Sequence, residues 1–386
     1  MQQKTRFLMI GGFLGAGKTT AIARLARHYT DQGLRVGLVT NDQAYGLVDT
    51  ETLRGQGFEV GEVPGACFCC KFDDLVDTAA ALGADGQPDI ILTEPVGSCT
   101  DLMATVLRPL GHLFGDRYRL GPLAVLCKPE HGRKILGGGS GGFSPQAAYI
   151  FLKQLEEAQL IVLNKVDRLT DDEQAELLRL LHERFPEKKI LSASGTTGAG
   201  FEDLIVALAA DNPLTDQPLD IDYDTYAEGE AALGWLNCGV RFTSKVEWPL
   251  DDLVQRLVAL FSQTLLAANL EPGHVKVLAT CDSTTHLAGE LASAGGATTH
   301  PFTAIANWVA SSTPVELSLA SNQNATTANT LINVRVHGDP DTLAQLVKTS
   351  VAEVATSLDL TYELSELQHF RPGRPEPQHR YETSTG

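Results

Sequence analysis

The chain has 386 residues and a formal net charge of −18, which leaves room for two or three domains with a sizeable core. Such acidity argues against nucleic acid, whose phosphates need a basic face, and against docking on an anionic membrane. No stretch reaches the ~18 uninterrupted apolar residues of a spanning helix. The apolar run after Lys4 and Arg6 breaks at Lys18 with no cleavage site following, so a soluble, cytoplasmic protein is expected.

In chain order, residues 1–210 alternate apolar runs with helical patterns. Strands are predicted at Arg6–Ile10, Arg35–Thr40, Asp89–Thr93, Leu123–Cys127, Leu160–Leu163 and Lys189–Leu191. Helices are predicted after Lys18, with Ile22, Leu25, Ala26 and Tyr29 on one face, and over Asp171–Arg184 and Glu202–Ala209. This alternation gives an α/β domain with a parallel sheet and helices on both faces. Residues 211–234 are acidic, contain proline and lack apolar periodicity, so they are read as a linker.

Over residues 235–368 the pattern changes. Gly239–Thr243, His274–Ala279 and Leu331–Val336 read as strands. Leu250–Leu266 reads as a helix, and a second helix opens with Asp339 as its cap and Pro340 at its first position. Two βαβ-like units suggest a smaller α+β, ferredoxin-like domain. Residues 369–386 are expected to form an extended tail. His274 reads better as a packed or solvated residue than as a ligand.

Gly12–Thr19 reads GFLGAGKT and fits the phosphate-loop pattern in full, after a strand and opening a helix. Gly12, Gly15, Ala16 and Gly17 let backbone N–H groups turn toward phosphate oxygens, helped by the helix N-terminus and by Thr20 behind it. Lys18 is placed on the β- and γ-phosphates and Thr19 on Mg²⁺.

Asn164–Asp167 reads NKVD after a strand. Asp167 can accept from guanine N1–H and its exocyclic amine, donors that adenine lacks. Asn164 can bridge to the phosphate loop and the Lys165 stem can lie over the purine. Ser192-Ala193-Ser194 can present a backbone N–H to the guanine carbonyl. Glu94 begins EPVG, where an acid suits water or Mg²⁺ positioning, and Gly97 can approach the γ-phosphate. Asp42 and Asp49 bound a candidate switch loop. The catalytic candidates are Lys18, Glu94 and Asp42.

The seven cysteines are odd in number, and three lie within four positions (Cys67, Cys69, Cys70), which is no disulfide framework. In an extended segment Cys67 and Cys69 face one way, with Cys70 joining after a turn. These residues are open to three readings: a soft-metal site needing a fourth ligand, buried apolar thiols, or a redox switch.

Together, GGFLGAGKTT (Gly11–Thr20), CFCC (Cys67–Cys70), EPVG (Glu94–Gly97) and NKVD resemble the CobW-like P-loop GTPases. That group includes cobalamin-synthesis W proteins, zinc metallochaperones and relatives that mature nitrile hydratase. The resemblance implies a P-loop domain with a ferredoxin-like C-terminal domain, GTP with Mg²⁺, and a transition metal at Cys67, Cys69 and Cys70. Zn²⁺ comes first, with Co²⁺ and Ni²⁺ as alternatives. It implies hydrolysis coupled to delivery of the metal to a metalloprotein client. The alternative is a regulatory GTPase that works through partner binding, with structural or redox-sensing cysteines. Three departures stand out: Ala66 where relatives have glycine, Cys127-Lys128 where they commonly have Val-Asp, and no His-rich tract.

Overall fold

The computed structural model describes residues 4–43, 48–82, 86–211, 219–281 and 302–381. They form two compact units. The first holds the described residues of 4–43, 57–232 and 372–381; the second holds 48–56 and Leu233–Arg371.

The first unit is built on β1 (Thr5–Gly12), whose run TRFLMIGG is buried almost throughout, as expected of a strand covered on both faces. Helix α1 (Lys18–Asp31) follows and buries Ala21, Ile22, Leu25, Ala26 and Tyr29, the face predicted from periodicity. Then come β2 (Val36–Asp42), β3 (Val60–Pro64), α3 (Phe72–Ala81) and β4 (Ile90–Glu94); α2 (Val48–Arg54) belongs to the second unit. A π-helical turn, Met103–Leu107, leads into α4 (Arg108–Phe114), β5 (Tyr118–Leu120) and β6 (Ala124–Cys127). Next are α5 (Pro129–Leu136), α6 (Pro145–Glu157), β7 (Leu160–Leu163), α7 (Asp171–Arg184), β8 (Lys189–Ser192), α8 (Phe201–Leu208) and α9 (Tyr223–Ala231). Thr170 and Glu173 close a capping box on α7, which explains why its predicted start was sharp.

The eight strands are parallel, in the order β3-β2-β4-β1-β6-β7-β8, with β5 also beside β1. β3 and β5 were not predicted, because VGEVP and YRL are too short and too polar to show a strand period. The segment read as a linker carries α9, capped by Asp222, which accepts from the N–H groups of Asp224 and Thr225. Residues 212–218 of that segment lie outside the described part.

In the second unit, α2 (Val48–Arg54) precedes β9 (Leu233–Pro249), α10 (Leu250–Ala267), β10 (Glu271–Cys281), β11 (Phe302–Trp308), β12 (Glu316–Leu319), β13 (Asn324–His337), α11 (Pro340–Ser357) and β14 (Thr361–Phe370). The sheet is antiparallel, ordered β12-β11-β10-β13-β9-β14. Without the β11–β12 hairpin, this is a β-α-β-β-α-β ferredoxin-like arrangement. β11, β12 and β14 were not predicted, and β14 takes in His369 and Phe370 of the expected tail.

One face of this sheet carries the core. Val275, Val277 and Ala279 alternate inward and pack with Leu253, Leu257 and Phe261 of α10 and with Leu343, Val347 and Val351 of α11. On the opposite face Leu278 and Ile305 pack against Val48 of α2, and Lys276 pairs with Asp49. His274 is buried and hydrogen-bonded to Asn333 at 2.6 Å, and burial holds it neutral.

Leu257 is fully buried, so Leu257→Ala removes side-chain volume that the core cannot refill. A loss of about 2–5 kcal/mol is expected. All three tryptophans, Trp235, Trp248 and Trp308, lie in this unit, so denaturant unfolding followed by indole fluorescence measures the loss selectively.

Candidate nucleotide and metal site

Parallel pairing brings the carboxyl ends of β1, β2, β4, β7 and β8 to one edge, where ligands of open α/β sheets bind. Gly12, Gly15 and Gly17 of the loop after β1 all have positive φ, which glycine adopts at little cost. The Lys18 ammonium is buried, donates to Gly12 O at 3.0 Å and stands 4.0 Å from Glu94 Oε1. The Thr19 hydroxyl donates to the same Glu94 oxygen at 3.1 Å. Two oxygen donors beside a buried cation, at the mouth of a helix N-terminus, suit a hydrated Mg²⁺ on phosphates. Ala16 lies buried in the loop and Thr20 is exposed on α1.

Gly97 lies against the phosphate loop, and a Cβ there would come within 2.7 Å of Leu14 Cδ2 and 3.1 Å of its backbone nitrogen. Only glycine allows this approach, so EPVG packs directly on the loop that would hold phosphates.

Asn164 is buried and joins two loops: its amide donates to Ala16 O at 2.8 Å, and its oxygen accepts from Gly195 N–H at 3.1 Å. Lys165 has φ 60 and leads into a short 3₁₀ turn, Val166–Arg168, on which Asp167 is exposed. Ser192 accepts from Gln174 at 3.1 Å. The reading of 192–194 as the source of an N–H for the base is revised for two of its residues. Ala193 N–H donates to Leu163 O at 2.9 Å, and Ser194 N–H to Ala199 O at 2.9 Å. Both are spent on strand end and turn.

Asp42 ends β2, and its carbonyl accepts from Gly65 N–H. The expected switch loop between Asp42 and Asp49 is also revised. Asp49 is helical, in α2 of the second unit, where it pairs with Lys276; residues 44–47 lie outside the described part. Lys128 is fully buried at the N-cap of α5. Burial acts to raise Glu130, but Lys165 and Lys128 outweigh it and hold that carboxyl below its usual range.

The cysteine cluster is a turn and not the extended segment expected. Asn41 shapes it, donating to Val63 O and Ala66 O and accepting from Phe68 N–H. Cys70 and Lys71 then fold back, both N–H groups donating to Cys67 O at 3.0 Å. Cys67 and Cys69 are buried and Cys70 is partly exposed. The sulfurs of Cys69 and Cys70 are 3.7 Å apart. Residues 372–381 run alongside: Glu376 N–H donates to Cys70 Sγ at 3.3 Å, and Gln378 N–H to Cys69 O at 2.9 Å.

Two residues missed by sequence reasoning join this cluster. Cys99 Sγ, Cys67 Sγ and a carboxylate oxygen of Glu230 all lie within 4.8 Å of one another, each buried. Cys99 sits two positions after Gly97 in EPVGSC, a proximity the sequence did offer. Glu230 lies on α9, in the presumed linker, and no local pattern marks it. Gly229 lets α9 approach α6, since a Cβ there would come within 2.5 Å of Gln146 O. The Glu230 carboxylate accepts from Ser98 Oγ at 2.6 Å and from Gln43 at 3.3 Å.

Thiol hydrogen bonds from Cys69, then Cys99, hold Cys67 well below the usual thiol range. The same bond raises Cys69. Burial, then the neighbouring Cys67, raises Cys99, and burial, then Cys67, raises Glu230. The bond from Cys69 likewise lowers Cys70, so lowered Cys67 and Cys70 stand among raised Cys69, Cys99 and Glu230, which must lose protons to bind a cation.

Fold and phosphate loop define the class as a P-loop nucleotide-binding domain. Residues 6–192 match the CobW/HypB/UreG nucleotide-binding domain. The chain is 28% identical to the zinc chaperone YeiR of Escherichia coli (strain K12) over 194 residues, 48% of this chain and 54% of that protein. It is 36% identical to the zinc chaperone CobW of a Sinorhizobium species over 104 residues, 25% and 29% of the two chains. The matches therefore span about half or less of these relatives. The hydrogenase maturation factor HypB from Archaeoglobus fulgidus aligns at 20% identity with a TM-score of 0.38, covering 53% of this chain and 88% of that one. Among the described residues no helix is long and apolar enough to cross a membrane.

Asn164→Ala leaves Ala16 O and Gly195 N–H without the amide that joins them. The expected cost is ~1–3 kcal/mol, or about 5- to 150-fold weaker guanine-nucleotide binding. Fluorescent-nucleotide titration measures it, with far-ultraviolet circular dichroism as the check on folding.

Proposed function

We propose that this protein is a GTP-hydrolysing metallochaperone, acting in a reducing cytoplasm, that binds a transition metal at Cys67, Cys69 and Cys70 and hands it to a metalloprotein client. The observation that carries the reading is the loop after β4. Within six residues it runs from Glu94, in contact with Thr19 and Lys18, through Gly97 against the phosphate loop, to Cys99 beside Cys67. A change at the γ-phosphate is therefore mechanically close to the thiols. The zinc-chaperone relatives support zinc as the first candidate, ahead of cobalt and nickel.

In this reading the loop N–H groups and Lys18 bind the β- and γ-phosphates, and Asn164, Lys165 and Asp167 select guanine. Thr19 would hold Mg²⁺, which would neutralise phosphate charge when bound. Glu94 orients the attacking water, with Asp42 at the neighbouring strand end. The water oxygen bonds to the γ-phosphorus as the β–γ bridging P–O bond breaks, and GDP leaves with that electron pair. Loss of the γ-phosphate lets the Glu94–Cys99 loop relax and weakens the metal site. Each ligand then affects the other's affinity by the same factor.

The test is anaerobic competition for Zn²⁺ and Co²⁺ against a chelator, with Mg²⁺ and either a non-hydrolysable GTP analogue or GDP. The expected result is about 5- to 150-fold tighter metal binding with the analogue. Equal affinity in both states overturns the coupling and favours a GTPase that works through partner binding. Metal affinity is also expected to fall as pH falls, because protons return to Cys69 and compete with the metal. For each proton displaced, the loss is about tenfold per pH unit. The same competition repeated across pH measures it, and a flat profile contradicts thiolate ligation.

A further inference from the structure

Cys99 and Glu230 lie outside the Cys67–Cys70 motif, yet their ligand atoms meet Cys67 Sγ within 4.8 Å. We infer that the loaded metal site is a three-sulfur, one-oxygen cage of Cys67, Cys69, Cys99 and Glu230, with Cys70 at its rim as the entry and exit thiol. This rests on the metallochaperone reading and replaces Cys70 in its ligand set by Cys99 and Glu230.

Three observations carry it. Glu230 is only 1% exposed, and its hydrogen-bond donors, Ser98 and Gln43, are neutral. A carboxyl kept out of water ionises only where a cation faces it, and this one is aimed at two thiols. Second, a closed zinc site takes four ligands. Cys67, Cys69 and Cys99 are all buried, whereas Cys70 is partly exposed and accepts from the Glu376 N–H. Third, the hydrogen bonds around the site fix its geometry. Gln154 donates to the carbonyls of Gly97 and Cys99 at 3.0 and 2.8 Å, and Tyr226 OH accepts from Thr100 N–H at 3.3 Å. The loop bearing Cys99 is thus held against α6 and α9, the helix that supplies Glu230.

The donor set also selects the cation. A hard carboxylate among thiolates suits Zn²⁺ or Co²⁺ and disfavours Cu⁺, which takes soft ligands alone. Because Cys99 shares its loop with Glu94 and Gly97, it is the ligand through which nucleotide state reaches the metal.

The experiment is zinc X-ray absorption on the full chain, anaerobic, with Mg²⁺ and a non-hydrolysable GTP analogue, alongside zinc competition by a chelator. The expected result is a shell of three sulfurs and one oxygen in the unaltered protein, kept in Cys70→Ser and reduced to two sulfurs in Cys99→Ser. Glu230→Gln is expected to weaken zinc at least about 100-fold. Cys70 is partly exposed, so its variant remains informative even if Cys99→Ser fails to fold. A drop to two sulfurs in Cys70→Ser, or unchanged zinc affinity in Glu230→Gln, overturns the inference and leaves Cys67, Cys69 and Cys70 as the ligands. Failure of the unaltered protein to bind zinc overturns the metallochaperone reading as well.

Discussion

The pairing of β1 with β4 on one side and β6 on the other sets everything else in the first unit. Met9 lies opposite Thr93 and Gly12 opposite Leu126, so the chain leaves β1 and β4 at the same level. Lys18, Thr19 and Glu94 then meet without reaching. The price is a lysine and a glutamate buried together at 4.0 Å, an arrangement stable only because further polar groups and carbonyls share the charge. A substrate with several negative charges and a divalent cation would satisfy the same groups better than they satisfy one another.

The cysteine cluster poses the same problem with the sign reversed. Sulfur, sulfur and carboxylate crowd a buried volume, where Cys67 is held below the usual thiol range while Cys99 and Glu230 are pushed up and keep their protons until a cation displaces them. Both sites are therefore electrostatically incomplete as the chain alone presents them, one in need of anions and the other of a cation. They are joined by six residues of backbone. This gives a physical basis for communication that requires no movement of distant elements.

Much of this was legible in the sequence. The phosphate loop, the NKVD turn and the helix over Asp171–Arg184 follow from local rules: positive-φ glycines, a strand end and a capping box. What was missed depends on tertiary contacts. β3 and β5 are strands because long neighbours offer them edges, not because VGEVP or YRL has a period. β9 extends well beyond Gly239–Thr243 because β13 and β14 pair along it. Glu230 looked like one more acid in an acidic linker, and only the packing of α9 at Gly229 makes it a buried one. Asp49 looked like a switch-loop acid, and its helix and its partner Lys276 are contributed by the second unit. Lys128, which departs from the family pattern, is balanced by Glu130 two residues on, a local compensation visible only once Lys128 is seen to be fully buried.

The contacts of residues 372–381 with the cysteine turn bear on biosynthesis. The phosphate loop and the turns packed on it lie between Gly12 and Gly195, whereas the cysteine cluster draws its outer contacts from Glu376 and Gln378. A ribosome adding about 5–20 residues per second needs on the order of 10–40 s to cover that interval. For that time a nascent chain can fold its phosphate loop while Cys70 still lacks the contact from Glu376. The phosphate loop is thus available to the folding chain before the thiols acquire their cover, and the second unit must be synthesised in between.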